Sequence, residues 1–350
     1  IDLAMLVIAT DEGFMPQTAE HLAILSLLGV RGGLVVLTKC DRVTPDWLAM
    51  VRAEATVRVE GTFLENAPVL EVSAVTGEGI DALREALFAL VQRTQEKNAH
   101  IPFRMPIDRV FSMDGFGTVA TGTLIEGALH RLDEVELLPG GLHTHIRNLQ
   151  VHGENVETAC AGERVAVNLA GVKRAELARG CTLVRPGSVR LTRMLDVRLR
   201  CLRESRRTIV NGSRVHFYHG TAVQLAKVTL LGREELTPGE SGYAQLRFTE
   251  DVAVKYGDRF VVRFYSPLET IGGGVVLDEA PARHKRNDPA VLEALAVREH
   301  GGNTRVLAEL SALDARLPTA AELATRLGMD ERTLAHELSV LCVRGEAMEV

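Results

Sequence analysis

The chain has 350 residues, enough for two to four domains, and its 46% hydrophobic but only 4% aromatic content gives aliphatic cores. A net charge of −6 excludes a non-specific nucleic-acid binder, so any RNA contact has to come from local basic patches. The five cysteines (Cys40, Cys160, Cys181, Cys201, Cys342) contain no C-x-x-C pair, which argues against a disulfide scaffold or zinc site and fits reduced thiols in the cytoplasm. No apolar run reaches the ~18 residues of a membrane span, and no signal peptide is visible.

Leu3–Ala9 is a continuous apolar run and reads as a strand. After Asp11-Glu12-Gly13 and Pro16, residues 17–28 place Leu22, Leu25 and Leu28 at helical spacing, and Gly29 stops them. Gly33-Leu34-Val35-Val36-Leu37-Thr38 reads as a buried strand of a parallel sheet. It delivers Thr38, Lys39 and Asp41 to the carboxyl end of that strand, where open α/β sheets bind ligands. This chemistry suits a guanine base. A fixed carboxylate at Asp41 accepts from the ring N–H and the exocyclic amine, whereas adenine leaves it partly unpaired. The aliphatic stem of Lys39 is expected to lie over the base with its ammonium in water. A Thr-Lys-x-Asp loop also occurs as a solvated turn. Helices near 46–59 and 80–94 around a strand at 68–72 complete a helix-covered parallel sheet, with Ser73-Ala74 at the end of its last strand.

Asp11-Glu12-Gly13-Phe14-Met15-Pro16-Gln17-Thr18-Ala19-Glu20-His21 resembles the D-G-x-x-P-Q-T-x-E-H segment of the elongation factor Tu class of GTPases. That resemblance implies a [NT]-K-x-D…S-A guanine site, in which the Ala74 backbone N–H donates to the guanine carbonyl and Ser73 braces the loop. Ser73-Ala74 also reads as an ordinary cap before the helix that follows Gly79. The resemblance further implies that the phosphate loop, the switch regions, the hydrolytic His and the Mg²⁺ ligands lie upstream. No G-x-x-x-x-G-K-[ST] occurs in the 350 residues, and the chain opens on Ile1 already within a strand. The expectation is a partial P-loop GTPase domain, its amino terminus missing, with no catalytic residue and no GTP hydrolysis on its own.

Gln95–His100 is a polar bridge, and after Pro102 the pattern changes to short alternating runs: Met105–Met113, Gly117–Ile125, Asp133–Leu138, Ile146–Val151 and Arg164–Leu169. This is a β-barrel pattern. Asp114-Gly115-Phe116-Gly117-Thr118-Val119-Ala120-Thr121-Gly122 is similar to the G-x-G-T-V-x-T-G signature of domain II in that class. A dinucleotide-loop reading fails, because no βαβ unit surrounds it. A second β-rich block spans residues ~190–280, with runs at Val215–Ala222, Tyr243–Phe248 and Asp258–Arg263. Thr270–Val276 resembles the closing segment of domain III, and Gly272-Gly273-Gly274 within it reads as a flexible turn between strands.

Residues 289–313 are expected to be helical. Thr319 and Glu322 form a capping box opening a helix that ends at Gly328, and Asp330 caps another with Leu334, Leu338 and Leu341 on one face. With a strand from Ala347, this is a winged-helix signature, carrying Arg332, His336 and Arg344 among acidic residues. The expected layout is 1–98 for the carboxyl part of the GTP-binding domain, 101–187 and 188–282 for two β-barrel domains, and 284–350 for a first winged-helix region.

A Tu-like GTPase with two barrels and winged-helix material resembles the bacterial selenocysteine-specific elongation factors, and Thr38 in the guanine motif suits them better than the usual Asn. The resemblance implies an anion pocket on the first barrel that separates an ionised selenol from a serine hydroxyl. Its residues correspond to Asp108 and Arg109 in Ile107-Asp108-Arg109-Val110-Phe111, and to Arg164 in Gly162-Glu163-Arg164. Solvated strand charges are the plainer reading of each. Implied partners are selenocysteinyl-tRNA, an mRNA hairpin (SECIS) and the ribosome, with GTP and Mg²⁺ as cofactors and a cytoplasmic monomer as the working form. Arg203–Arg207 and His284–Arg286 are candidate RNA contacts or solvated turns. The alternatives are a general Tu-like aminoacyl-tRNA carrier and a non-hydrolysing RNA-binding adaptor with a degenerate G domain.

Overall fold

The computed structural model describes the chain apart from residues 114–116, 267, 302–305, 308, 311–317, 328, 330 and 348–350. It divides into two units, Ile1–Glu96 and Lys97–Val350.

In the first unit, β1 (Leu3–Ala9), β2 (Gly32–Thr38) and β3 (Val69–Glu71) pair in that order, all parallel, with Ala9 opposite Thr38 and Leu37 opposite Glu71. Parallel strands need long crossovers, here α1 (Pro16–Leu27) and α2 (Pro45–Val59). A proline at the first turn starts each helix, and the Thr44 hydroxyl caps α2 by accepting from the Trp47 N–H. The apolar run of β2 is continuous because both its faces are covered. Val35 and Leu37 pack with Leu22 of α1 and Val51 and Ala55 of α2, while Leu34 and Val36 meet Leu83, Leu87 and Leu90 of α3 (Ile80–Gln92).

The second unit begins with a barrel. Its strands are β4 (Arg104–Met113), β5 (Gly117–Thr123), β6 (Ala128–His130), β7 (Glu134–Leu138) and β8 (Leu142–Val151). They are followed by β9 (Glu154–Val156), β10 (Thr158–Cys160), which pairs with β6 in a separate two-stranded sheet, β11 (Arg164–Leu169) and β12 (Thr182–Val184). The order is β11-β5-β4-β12-β7-β8-β9, and β11 also pairs with β8, closing the sheet around Met105, Ile107, Ile146, Val165 and Val167. β4 and β5 are antiparallel neighbours, with Met113 opposite Gly117; Asp114-Gly115-Phe116 of the signature lies outside the described residues.

A second barrel follows, from β13 (Leu191–Cys201), β14 (Ile209–Val210), β15 (Arg214–His219) and β16 (Ala222–Leu230). Then come β17 (Glu235–Leu236), which pairs with β14 in a separate two-stranded sheet, and the barrel strands β18 (Ser241–Ala253), β19 (Arg259–Phe264) and β20 (Thr270–Asp278). It closes as β13-β18-β16-β15-β19-β20. Phe217 sits at its centre, edge-on to Phe248 at 5.1 Å and tilted against Phe260 at 4.9 Å. Two readings are corrected here. The run 215–222 is not one strand: the chain turns at Gly220-Thr221 and pairs β15 with β16. Gly272-Gly273-Gly274 is not a turn but the middle of β20, where β13 crosses so closely that a Cβ on Gly274 would lie 1.8 Å from the Arg198 carbonyl oxygen.

In the stretch 289–313, α4 (Pro289–Glu299) ends before Gly301, which has φ +68°. α4 docks on the second barrel: Leu295 is buried with Leu231 and Leu277, and the Tyr243 hydroxyl donates to Glu299 at 2.7 Å. α5 (Ala320–Leu327) opens with the predicted box, Thr319 N–H to Glu322 at 2.9 Å and Glu322 N–H to the Thr319 hydroxyl at 3.3 Å. α6 (Glu331–Val343) contributes Leu334 and Leu341 to a separate small core with Val306, Leu323, Ala324 and Leu327, and Leu338 packs against it. Gly328, Asp330 and the residues after Ala347 lie outside the described residues.

One buried ion cluster joins the two barrels. Arg104 of β4, 3% exposed, donates twice to Asp258 at 2.6 Å and once to Glu126 at 2.7 Å. Lys255 donates to Glu126 at 2.8 Å, and His219 meets Asp258 at 2.9 Å. Burial pushes the Asp258 carboxyl up, but Arg104 and His219 outweigh it and hold it well below the ordinary carboxylate range. Removing one partner of such a cluster leaves an uncompensated buried charge. Asp258→Ala is expected to cost about 3–5 kcal/mol, read as a lower urea midpoint for the barrel transition. Because the folded carboxyl titrates below its unfolded value, the stabilisation is complete above roughly pH 4 and fades as pH falls further. The gap between wild type and variant should therefore narrow in acid.

Candidate functional site

The carboxyl ends of β2 and β3 bring the predicted base-binding residues together. Thr38 ends β2, and Lys39 follows with φ 60° and ψ 34°, a left-handed conformation that a lysine adopts only under constraint. Asp41 lies in the one-turn helix Cys40–Arg42, exposed, and its carboxylate makes no hydrogen bond or ion pair among the described residues. Across the turn after β3, Ser73 is fully buried and its hydroxyl accepts from the Thr76 N–H at 3.1 Å. Ser73 thus shapes the turn, and Ala74 beside it is exposed with no backbone partner for its N–H among the described residues. The Cys40 N–H donates to the Val72 carbonyl at 3.3 Å, which ties the two loops together. An uncommitted carboxylate and an uncommitted N–H on adjacent loops are the acceptor and donor that a guanine edge needs.

Two features of this site escaped the sequence. Thr10, fully buried at the end of β1, donates through its hydroxyl to the carbonyls of Thr38 at 2.9 Å and Lys39 at 3.0 Å. Its own carbonyl accepts from the indole N–H of Trp47, the single tryptophan, at 2.8 Å. A buried threonine following an apolar strand was the available signal. Lys39 also departs from expectation: its ammonium is not simply in water but bound to Asp11 at 2.9 Å and Glu12 at 3.4 Å. The hydrogen bond from Lys39 lowers the Asp11 carboxyl from its ordinary value and raises the lysine in turn. Asp11 also pairs with Arg42 at 2.9 Å, so the D-G-x-x-P-Q-T segment anchors the base loop.

On the first barrel, Asp108 and Arg164 meet across 56 residues of sequence. The Arg164 guanidinium forks onto the carboxylate, Nη1 to Oδ2 at 2.6 Å and Nη2 to Oδ1 at 2.9 Å. The Thr121 hydroxyl donates to Oδ1 at 3.0 Å. Burial raises the Asp108 carboxyl; Arg164, Thr121 and the nearby charge of Arg109 together bring it below its ordinary value. Arg109 is exposed, and its guanidinium makes no hydrogen bond or ion pair among the described residues. Asp108 and Arg164 therefore form one pair, and the exposed Arg109 charge is near enough to act on the Asp108 carboxyl.

Three residues of the other basic segments are tied within the fold, while Arg203, Arg206 and Lys285 are exposed. His284 meets the buried Asp196 at 2.6 Å, and Arg286 reaches the Leu230 carbonyl at 3.3 Å and Glu234 at 2.7 Å. Arg207 lies over the Phe264 ring at 4.4 Å and pairs with Glu269 at 3.3 Å. Arg332, His336 and Arg344 are exposed at or just beyond α6. Among the described residues no cluster of His, Cys, Asp or Glu could hold a metal ion, and no helix is long and apolar enough to cross a membrane.

Residues 1–93 match the elongation factor Tu GTP binding domain, 117–184 elongation factor Tu domain 2, and 196–283 the beta-barrel domain of selenocysteine-specific elongation factor. The chain is 42% identical over 341 residues to the selenocysteine-specific elongation factor of Desulfomicrobium baculatum, covering 97% of this chain and 54% of that protein. For the Haemophilus influenzae selenocysteine-specific elongation factor the identity is 33%, covering 95% and 53%. Elongation factor Tu 2 of Streptomyces avermitilis is 32% identical, covering 79% of this chain and 74% of that protein. A crystal structure of bacterial selenocysteine-specific elongation factor EF-Sec superposes with a TM-score of 0.75 at 28% identity, covering 86% of this chain and 48% of that one. The chain spans about half the length of the selenocysteine-specific relatives it matches. With its GTP-binding sheet, two closed barrels and helical tail, it belongs to the elongation factor Tu-like translational GTPases, in the branch of selenocysteine-specific elongation factors.

Proposed function

We propose that the whole protein binds GTP and carries selenocysteinyl-tRNA to the ribosome at UGA codons, in the cytoplasm and as a monomer. The observation that carries this reading is the forked Asp108–Arg164 pair beside the uncommitted Arg109. A selenol is largely ionised at neutral pH and a serine hydroxyl is not, so fixed guanidinium charge separates two aminoacyl groups of nearly equal size. Asp108 orients Arg164, and Arg109 and Arg164 face the selenolate. The α5–α6 module belongs to the winged-helix part that reads the SECIS hairpin, with Arg332, His336 and Arg344 as its available cations.

At the base site, Asp41 takes the ring N–H and exocyclic amine of guanine, and the Ala74 N–H donates to the guanine carbonyl. Thr38, Lys39 and Ser73 hold the two loops around the base. We assign the phosphate and Mg²⁺ ligands to the part of the protein outside these 350 residues, which contain no G-x-x-x-x-G-K-[ST]. Mg²⁺, when bound, neutralises phosphate charge; this chain's own residues select the base and the aminoacyl group.

Two measurements test this. In the whole protein, Asp41→Ala is expected to weaken GTP roughly 100-fold or more, since two hydrogen bonds to a charged acceptor are lost, while ATP competes no better than before. A wild-type protein that takes ATP as readily as GTP sinks the base assignment. Arg164→Ala is expected to weaken selenocysteinyl-tRNA by roughly 10-fold or more relative to seryl-tRNA, measured by equilibrium binding of both. Equal loss for the two removes Arg164 from the pocket.

A further inference from the structure

We propose that Thr121 is a positioning residue of this anion pocket: its hydroxyl fixes the Asp108 carboxylate so that Arg164 is held forked beside Arg109. The inference rests on the pocket reading above and adds a residue to it.

The register of the barrel supplies the argument. β4 pairs with β5 irregularly between Ile107 and Arg109, so Asp108 is the extra residue of a bulge and has no opposite number in the ladder. A bulged side chain is not aimed by regular pairing and needs another hold. Arg109 is opposite Thr121 on one side of β5, and Ala166 of β11 is opposite Thr121 on the other. Arg164 is opposite Thr123. Thr121 thus stands between the strand that brings Arg109 and the strand that brings Arg164.

Its hydroxyl donates to Asp108 Oδ1 at 3.0 Å, the same oxygen that accepts Arg164 Nη2 at 2.9 Å. The Arg164 side chain is 54% exposed and that of Asp108 25%. An ion pair that exposed is weak by itself, because two side chains must be frozen to make it. Threonine is β-branched and stiff at its first torsion, so it is a rigid third partner. The carboxylate then keeps one orientation, and the guanidinium that follows it is pre-aimed before an anion arrives. Pre-aiming matters for discrimination because ordering a long side chain during binding subtracts from the affinity gained.

The test uses the whole protein with GTP and three aminoacyl-tRNAs: selenocysteinyl, cysteinyl and seryl. A cysteine thiol ionises near pH ~8.5, so wild-type binding of cysteinyl-tRNA should tighten through that range while seryl-tRNA binding stays level. Thr121→Val removes the hydroxyl and keeps the branched shape. It is expected to weaken selenocysteinyl-tRNA about 10-fold relative to seryl-tRNA and to flatten the pH-dependent rise for cysteinyl-tRNA. Thr121→Ser, which restores the hydroxyl, should recover both. A Thr121→Val protein with unchanged selenocysteinyl preference and pH profile overturns the proposal, as does equal loss for all three tRNAs. Should the valine variant not fold, Thr121→Ala gives the same two readouts, and an unchanged preference there overturns it equally. A wild-type protein without preference for selenocysteinyl over seryl, and without the cysteinyl pH rise, overturns the pocket reading itself; preserved wild-type preference with an indifferent Thr121→Val overturns only Thr121.

Discussion

The Arg104 guanidinium is the contact on which the barrel pair depends. It is buried between a carboxylate from its own barrel, Glu126, and one from the next, Asp258, and it is 154 residues from the latter in sequence. Burial alone opposes charge on Arg104, and the two carboxylates outweigh it, so the cation stays charged in the interior. The direction of these forces makes the junction specific, because the observed arrangement gives the buried cation both of its carboxylates. Asp108, Thr121 and Arg164 lie on the first barrel and α4 packs on the second, so the clamp sets where α4 stands relative to the Asp108–Arg164 pair.

The first unit solves its own positioning problem with hydrogen bonds more than charge. Thr10 ends one strand and holds two carbonyls at the end of the next, so the Lys39 turn is fixed from behind by a group with no exposure to water. The left-handed Lys39 costs conformational energy, of order 1–3 kcal/mol for a residue in such a region. That cost is met by the Thr10 bonds, the Asp11 pair and the Cys40–Val72 backbone bond. Among the described residues the Asp41 carboxylate and the Ala74 N–H have no partner, and both are groups a guanine edge would complete.

Much of this was legible because it is local. Gly33 to Thr38 is apolar on both faces and reads as a buried parallel strand from its composition alone, and the structure covers both its faces with helices. The Thr319/Glu322 box is spelled within four residues and forms as read. What failed depends on a partner that the local sequence does not name. Gly272–Gly274 looks like a turn until β13 crosses it, when the missing side chains become a requirement of close approach. His284 and Arg286 look like solvated cations until Asp196, 88 residues earlier, and Leu230, 56 residues earlier, accept from them. Thr121 was visible in the signature as part of a glycine-threonine pattern, but its role follows from the bulge at Asp108, which no periodicity reveals.

The base site and the anion pocket would discriminate by different physics, and the difference explains their construction. A purine is told from another by donor and acceptor geometry, so the base site needs rigid loops and few charges. Buried or well-fixed polar groups left unpaired by the wrong ligand supply large ratios. A selenolate and a serine hydroxyl have nearly the same shape, and geometry alone separates such isosteres poorly. Charge is the available difference, but free guanidinium in water is screened and mobile, and worth little. Holding Arg164 on a carboxylate lowers its net charge, which on its own would weaken attraction for an anion. The arrangement would be productive only because Arg109 has no acid partner of its own among the described residues. Its charge is the surplus, and the fixed Arg164 supplies directed N–H groups next to it. One neutralised arginine for direction and one uncommitted arginine for charge would together do what two free or two paired arginines would not.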